Sequence, residues 1–261
     1  LNYTRHEPLG VIAAIIPWNS PLLLLAWKLA PALAAGNTVV VKPSEYTSAS
    51  ALELMKLIEA AGFPPGVVNV VTGYGAAVGT PLVEHPHVAK IAFTGSDATG
   101  QKIYESAARG LKRVSMELGG KSPNIVFDDA QIDNAVKGVI SGIFAATGQT
   151  CIAGSRLLVQ QSIHDRFVEK LVALGRTAKM GDPMSLETQV GPVTNPPQLE
   201  KILKYIDIAK GEGAQPVLGG TRASRPECGN GWFVEPTIFT GVTNAMRIAQ
   251  EEVFGPVLSV I

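Results

Sequence analysis

Sulfur is scarce in this chain. Of 261 residues only two are cysteine, Cys151 and Cys228. Two thiols cannot build the disulfide framework of a small secreted domain, so the expected compartment is a reducing one, the cytoplasm. Charge of one sign is equally lacking: 22 basic and 22 acidic residues leave a net charge of zero. That balance argues against a nucleic-acid footprint or an anchor on an anionic membrane. Long hydrophobic runs are also missing. The most apolar window, "PLLLLAWKLAPALAAG" from Pro21 to Gly36, contains Lys28 and Pro31 and falls short of the roughly 20 apolar residues a span needs. It is expected to be a buried helix. The opening "LNYTRHEPLG" lacks the charged start and apolar core of a signal peptide. A first residue other than Met, and an end inside the strand-like "GPVLSVI", make the chain read as a piece of a longer protein.

Apolar residues make up 46% of the chain, enough for one large domain or two modest ones. Strand-like runs alternate with helical patterns. "NTVVVKPS" reads as a strand, followed by a helix capped at Thr47 or Ser48, running through Ala61 and stopped by Gly62 and Pro64–Pro65. "GVVNVVTG" reads as a short strand, and "GYGAAVG" as the start of a Gly/Ala-rich helix. "VAKIAFTG" is a strand with a helix beginning near Thr99, and "KRVSMEL" and "NIVFDD" are two further strands. This order predicts a parallel, doubly wound sheet. From Ala130 the pattern restarts. Ile132, Ala135, Val136, Val139, Ile140 and Ile143 recur at helical spacing, with the helix ending at Gly148. "SRLLVQQ" is a strand, Ser162 and Asp165 resemble a capping box for a helix through Leu174, and Leu199, Ile202, Leu203 and Ile206 mark another helix. A domain change is expected at Glu117 to Gly120, giving units 1–117 and 118–261.

Two glycine-bearing turns follow strands. "FTGSDATG" carries Gly95 and Gly100, and "GYGAAVG" carries Gly73, Gly75 and Gly79. Neither matches G-x-G-x-x-G, and each alone serves equally well as a packing turn. Two such turns in one sheet favour a dinucleotide at helix N-termini. "LGGKS" looks like the tail of a P-loop, but Ser115 stands where its first glycine belongs and Pro123 follows at once. Phosphoryl transfer is rejected. His85 and His87 have no partners to complete a metal site and read as a loop around Pro86. Cys228 lies in a polar turn stretch, "RPECGNGW", and reads as incidental. Cys151, in "GQTCIAGSR", stands among small residues that leave room for a substrate carbonyl, a setting open to a nucleophile, but a lone cysteine is by itself weak evidence of one.

Taken together, "PWNSP", "KPSE", "GFPPGVVNVVTGYG", "FTGS", "ELGGKSP", "GQTCIAGSR" and "EEVFGPV" resemble the NAD(P)-dependent aldehyde dehydrogenase superfamily. They occur in the family's order, with 34 positions from Glu117 to Cys151. The resemblance implies an α/β fold, incomplete at both ends: a Rossmann-like parallel-sheet cofactor domain followed by an α/β catalytic domain. It implies Cys151 as nucleophile, Glu117 as general base and Asn19 as oxyanion donor, with Lys28 near the catalytic centre. For the cofactor it implies Ile16, Pro17, Trp18, Lys42, Glu45, Gly75, Gly79, Phe93, Gly95, Ser96 and Leu118, with Glu252 and Phe254 at the nicotinamide end. Lys42 and Glu45 match the pair on the adenosine ribose. Glu45 favours NAD, with NADP the alternative, because a carboxylate repels a 2′-phosphate. Asp97 departs from the usual pattern beside the pyrophosphate.

The implied reaction is oxidation of an aldehyde to a carboxylic acid through a Cys thiohemiacetal and a thioester, with Glu117 activating water. Relatives that pass the acyl group to coenzyme A lack this glutamate. Trp27, Phe144, Thr150 and Ile152 suggest an apolar substrate slot. The implied partners are a small aldehyde and further copies of the chain, as a homodimer or homotetramer. Two other readings stand beside this one: a truncated, non-catalytic nucleotide-binding remnant, and a thiol esterase that needs no cofactor.

Overall fold

The computed structural model describes residues 1–261 and divides into two compact units, 1–119 and 120–261. The first is built on five parallel strands: β1 (Val11–Ile15), β2 (Thr38–Lys42), β3 (Val68–Val70), β4 (Val88–Thr94) and β5 (Arg113–Glu117). Their order is β3-β2-β1-β4-β5, so β1 is the central strand and the winding reverses between β1 and β4. Four helices make the crossovers: α1 (Pro21–Ala34), α2 (Ser48–Ala60), α3 (Thr80–Glu84) and α4 (Asp97–Arg109). A π-helical turn, Gly75–Gly79, precedes α3.

Strand alternation sorts the core into two layers. Ile12 and Ala14 of β1, with Val39 and Val41 of β2, pack with Leu25 and Leu29 of α1 and Ala51 of α2. Ala13 and Ile15 point the other way and pack with Val83 of α3 and Ile103 and Ala107 of α4. Both faces of the sheet are therefore covered, as a parallel sheet requires.

The second unit carries a mixed sheet in the order β6-β7-β10-β9-β8. Its strands are β6 (Pro123–Val126), β7 (Arg156–Val159), β8 (Gln215–Leu218), β9 (Thr237–Thr240) and β10 (Val257–Val260), and only β8 runs antiparallel to its neighbour. Helices α5 (Ile132–Phe144) and α6 (His164–Gly175) pack into one core with Leu157, Ile238 and Leu258. Helices α7 (Pro196–Gly211) and α8 (Arg247–Gln250) pack into another with Phe239 and Val257.

Several local expectations need correction. The segment after Ile132 leaves the α-helix at Phe144, not at Gly148, because Ala146 and Thr147 take φ of 50° and 57°. The helix expected near Thr99 is present as Asp97–Arg109, with Ser96 as its cap accepting from the Thr99 N–H at 3.3 Å, and needs none. The Ser162 box does not form. A short 3₁₀ turn, Gln161–Ile163, intervenes, the Ser162 hydroxyl accepts from Gln160, and Asp165 pairs with His164. Helix α1 is buried on one side only: Leu22, Leu23 and Trp27 are exposed. Cys228 is no polar-loop residue but a buried member of the core around Phe233. Phe144, expected at an apolar slot, is buried in that same core. No helix is long and apolar enough to cross a membrane.

Candidate functional site

In the first unit a cleft of about 720 Å³ opens at the carboxyl ends of β1, β2 and β4. That is where an open parallel sheet binds ligands, beside the strand at which the winding reverses. The chain leaving β1 supplies Ile16, Pro17 and Trp18. The end of β2 supplies Lys42, and the turn after it Glu45. Gly75 and Gly79 bound the π-helical turn, and Phe93, Gly95 and Ser96 come from the end of β4 and the cap of α4. Ten of the residues singled out for a cofactor therefore line one cleft. Leu118 does not. Its side chain covers Gly100 of α4, where a Cβ would meet Leu118 Cδ2 at 2.7 Å.

Glycine is required at one of these positions by close approach. At Gly95 this is so, since a Cβ there would meet the Phe93 ring at 2.5 Å, whereas a Cβ on Gly79 would make only ordinary contact with the Lys42 stem. Lys42 is buried. Its ammonium donates to the Pro43 carbonyl at 3.0 Å and lies 3.9 Å from the Glu45 carboxylate. Burial lowers its pKa, and Glu45 works in the opposite sense. Ser44, Tyr46 and Thr99 also line the cleft and were not singled out beforehand, since isolated Ser, Thr and Tyr residues carry no sequence signal of their own.

Glu117 ends β5 and is exposed, opposite Thr94 of β4 in the sheet register. Lys28 of α1 donates to the Thr94 hydroxyl at 2.6 Å. Burial lowers the Lys28 pKa, and the Glu117 charge raises it. Lys28, Thr94 and Glu117 thus share one end of the sheet. Asn19 lies half-buried in the loop before α1 and is not among the cleft residues.

In the second unit Cys151 is half-buried just beyond three consecutive left-handed residues: Ala146, Thr147 and Gly148 at φ 68°. Such a run is costly and must be held by its surroundings. The Thr147 hydroxyl donates to the Gly191 carbonyl at 3.1 Å, and the buried Gln149 accepts from the Thr194 N–H at 3.0 Å. Gly148 presses on the backbone of Gly255. Gly255 follows Phe254, itself at φ 60°, in the segment between α8 and β10 that also carries Glu252. Gly148, Thr150, Glu252 and Phe254 line one small cavity. Thr147 and Gln149 carry no sequence signal as supports of the thiol loop, because their partners Gly191 and Thr194 are remote in sequence.

The His85 and His87 rings meet edge-on in an exposed turn, where His85 Nδ1 accepts from the His87 N–H. No group of three or more His, Cys, Asp or Glu side chains is placed to hold a metal ion. "LGGKS" connects β5 to β6 with no helix after it.

The model of the aldehyde dehydrogenase family matches residues 1–261. This chain belongs to that family. It is 53% identical over 259 residues to a chloroplastic aminoaldehyde dehydrogenase of Arabidopsis thaliana, covering 99% of this chain and 51% of that protein. It is 50% identical over 260 residues to human retinal dehydrogenase 2, covering 99% of this chain and 49% of that one. Among solved structures, betaine aldehyde dehydrogenase from Staphylococcus aureus in complex with NAD+ superimposes with a TM-score of 0.96 at 44% identity, over 98% of this chain and 50% of that one. The chain thus spans about half the length of the relatives it matches. Fold and family expectations from the sequence are both met.

Proposed function

We propose that the protein oxidises an aldehyde to a carboxylic acid with NAD, using Cys151 as nucleophile and Glu117 as general base. The observation that carries this reading is the cleft at the ends of β1, β2 and β4. It brings together ten of the residues that the family resemblance assigns to the cofactor. Its polar donors and side-chain-free glycine positions suit a long, flat, charged molecule. Lys42 and Glu45 would hold the adenosine ribose, the backbone at Gly79, Gly95 and Ser96 the pyrophosphate, and Glu252 and Phe254 the nicotinamide end. When bound, NAD supplies an acceptor for the hydride that leaves the substrate carbon. A Glu45 carboxylate beside that ribose favours NAD over NADP.

The chain's own residues then divide the work. The Cys151 sulfur adds to the aldehyde carbon and makes it tetrahedral, so that its hydrogen can depart with both bonding electrons. The oxyanion formed on the carbonyl oxygen takes hydrogen bonds from the Asn19 amide and the Cys151 backbone N–H. One such donor is typically worth about 2.7–4 kcal/mol. Loss of hydride leaves a thioester on Cys151. Glu117 removes a proton from water, the water oxygen attacks the thioester carbon, and the acid departs as the sulfur is regenerated. The three left-handed residues before Cys151 hold the thiol on a fixed turn, which favours a single line of attack. The same reading carries a homodimer or homotetramer, which light scattering tests.

The experiment is NADH formation by the natural-length protein over a panel of aldehydes, with Cys151→Ser alongside. NADH production that the substitution abolishes supports the reading. Ester hydrolysis without NAD, and no NADH from any aldehyde, would replace it with the esterase.

A further inference from the structure

Strand β6 carries one residue that a strand does not favour. Asparagine is a poor strand former, whereas Ile125 and Val126 beside Asn124 are good ones. Alternation puts Asn124 on the face of β6 shared with Val126, which packs in the core with α5. There its side chain meets Gly154, three residues beyond Cys151.

The half-buried Asn124 amide donates to the Gly154 carbonyl at 3.1 Å. Gly154 is buried, and its N–H donates to the Gly142 carbonyl of α5 at 3.0 Å. Both polar groups of its backbone are therefore bound. The space beside its Cα is filled as well: a Cβ on Gly154 would overlap Asn124 Nδ2 and stand 2.9 Å from Cγ. Asn124 also lies against Gly142, where a Cβ would meet Nδ2 at 3.6 Å. One side chain thus packs on two glycines and hydrogen-bonds one of them.

These contacts end the turn that presents the thiol. The Ala153 N–H donates to the Thr150 carbonyl at 3.0 Å and closes a turn with Cys151 and Ile152 at its centre. Thr147 and Gln149 hold the entry to that turn, and Gly154 is its exit. The exit is tied to β6 and α5, which are fixed in the core through Val126, Val139 and Ile143. Without the Asn124 amide the Gly154 carbonyl loses this donor, and the end of the turn is freed on that side.

We propose that Asn124 is a positioning residue for Cys151: its amide clamps the Gly154 carbonyl and fixes the turn that presents the sulfur and the Cys151 N–H. This rests on the nucleophile reading of Cys151 given above. Its consequence is that the clamp bears on addition of the sulfur to the aldehyde and leaves the hold on the cofactor untouched.

The test is turnover of the natural-length protein with NAD and the fastest aldehyde of a panel from propanal to benzaldehyde. NADH affinity is read by fluorescence titration on the same preparations. Asn124→Asp keeps the shape but sets an oxygen against the Gly154 carbonyl in place of the donor. Its kcat should fall on the order of ten- to a hundredfold, as a small misplacement of reacting groups gives, with NADH affinity unchanged. Iodoacetamide should alkylate its Cys151 at close to the wild-type rate, because a small reagent needs no fixed line of approach. Gly154→Ala should also slow turnover, since the new Cβ overlaps the Asn124 amide. Adding Asn124→Ala to Gly154→Ala should return turnover to the level of Asn124→Ala alone, a rescue that two independent defects would not give. A wild-type kcat in Asn124→Asp overturns the proposal. So does NADH affinity or alkylation that falls in step with kcat, because the defect is then general. So does a double variant slower than either single one. Should Asn124→Asp not fold, Gly154→Ala with and without Asn124→Ala decides alone. A wild type that forms no NADH across the panel sinks the nucleophile reading and this inference with it, whereas wild-type turnover with Asn124→Asp unchanged sinks the inference only.

Discussion

Gly148 lies directly on the backbone of Gly255. A side chain on Gly148 would overlap the Gly255 carbonyl, and its φ of 68° is one that other residues resist. The contact joins the loop that presents Cys151 to the segment that carries Glu252 and Phe254. The candidate nucleophile and the candidate nicotinamide residues of this unit are therefore placed by one glycine-to-glycine seam.

Gly148→Ala should force that seam apart. The left-handed strain and the backbone overlap together are expected to cost on the order of 2–4 kcal/mol of stability. Turnover should fall by more than tenfold, because the thiol and the Glu252 segment shift together. Thermal unfolding and initial rates on the same preparation check this. A variant with wild-type rate and wild-type melting would show that the seam carries no function.

The two thiols should behave oppositely. Cys228 is buried in the core near Phe233, and burial, then Glu227 and Glu235, raise its pKa. Cys151 is half-buried on a turn. Iodoacetamide on the native protein should alkylate Cys151 alone, read by peptide mass, and abolish turnover. Cys228→Ser should keep the rate and lose about 1–3 kcal/mol, since a hydroxyl replaces a thiol in an apolar setting.

Glu45 should decide between the two nicotinamide cofactors. Its carboxylate lies 3.9 Å from the Lys42 ammonium at the cleft wall. Glu45→Ser removes the charge that repels a 2′-phosphate while leaving Lys42 to attract it. The ratio of kcat/KM for NADP over NAD should rise by roughly tenfold or more, as removing one charge repulsion at close range would give. A ratio unchanged by the substitution would place the ribose elsewhere.

Much of this site could be read from the sequence because its signals are local. "NTVVVKPS" announces β2 and delivers Lys42 and Glu45 to one wall, and "FTGS" announces the end of β4 with its capping serine. What escaped was set by contacts distant in the chain. Ala146 and Thr147 give no hint of positive φ, so the helix was carried on to Gly148. Cys228 has polar neighbours in sequence, yet its turn folds into the core. Strand β8 holds only Val217 and Leu218 as apolar residues and pairs with β9 in the opposite sense to its sheet, so no alternation marks it. Lys121 follows two glycines and precedes Ser122 and Pro123, which makes it look like a surface lysine. Arg156 and Glu252, whose charges act on it, lie 35 and 131 positions away.

Lys121 should also leave a signature in stability. Its folded pKa is lowered to about 8 from 10.5, so between those values the unfolded chain holds a proton that the folded chain has shed. Stability therefore rises with pH through that window, and below about 8 the full cost of burying the charge is present. That cost is roughly 3 kcal/mol. Lys121→Met should unfold at higher urea than wild type at pH 7, and the two midpoints should converge by pH 10.5. If Lys121→Met is instead less stable than wild type at pH 7, the side chain serves packing, and its burial needs no functional explanation.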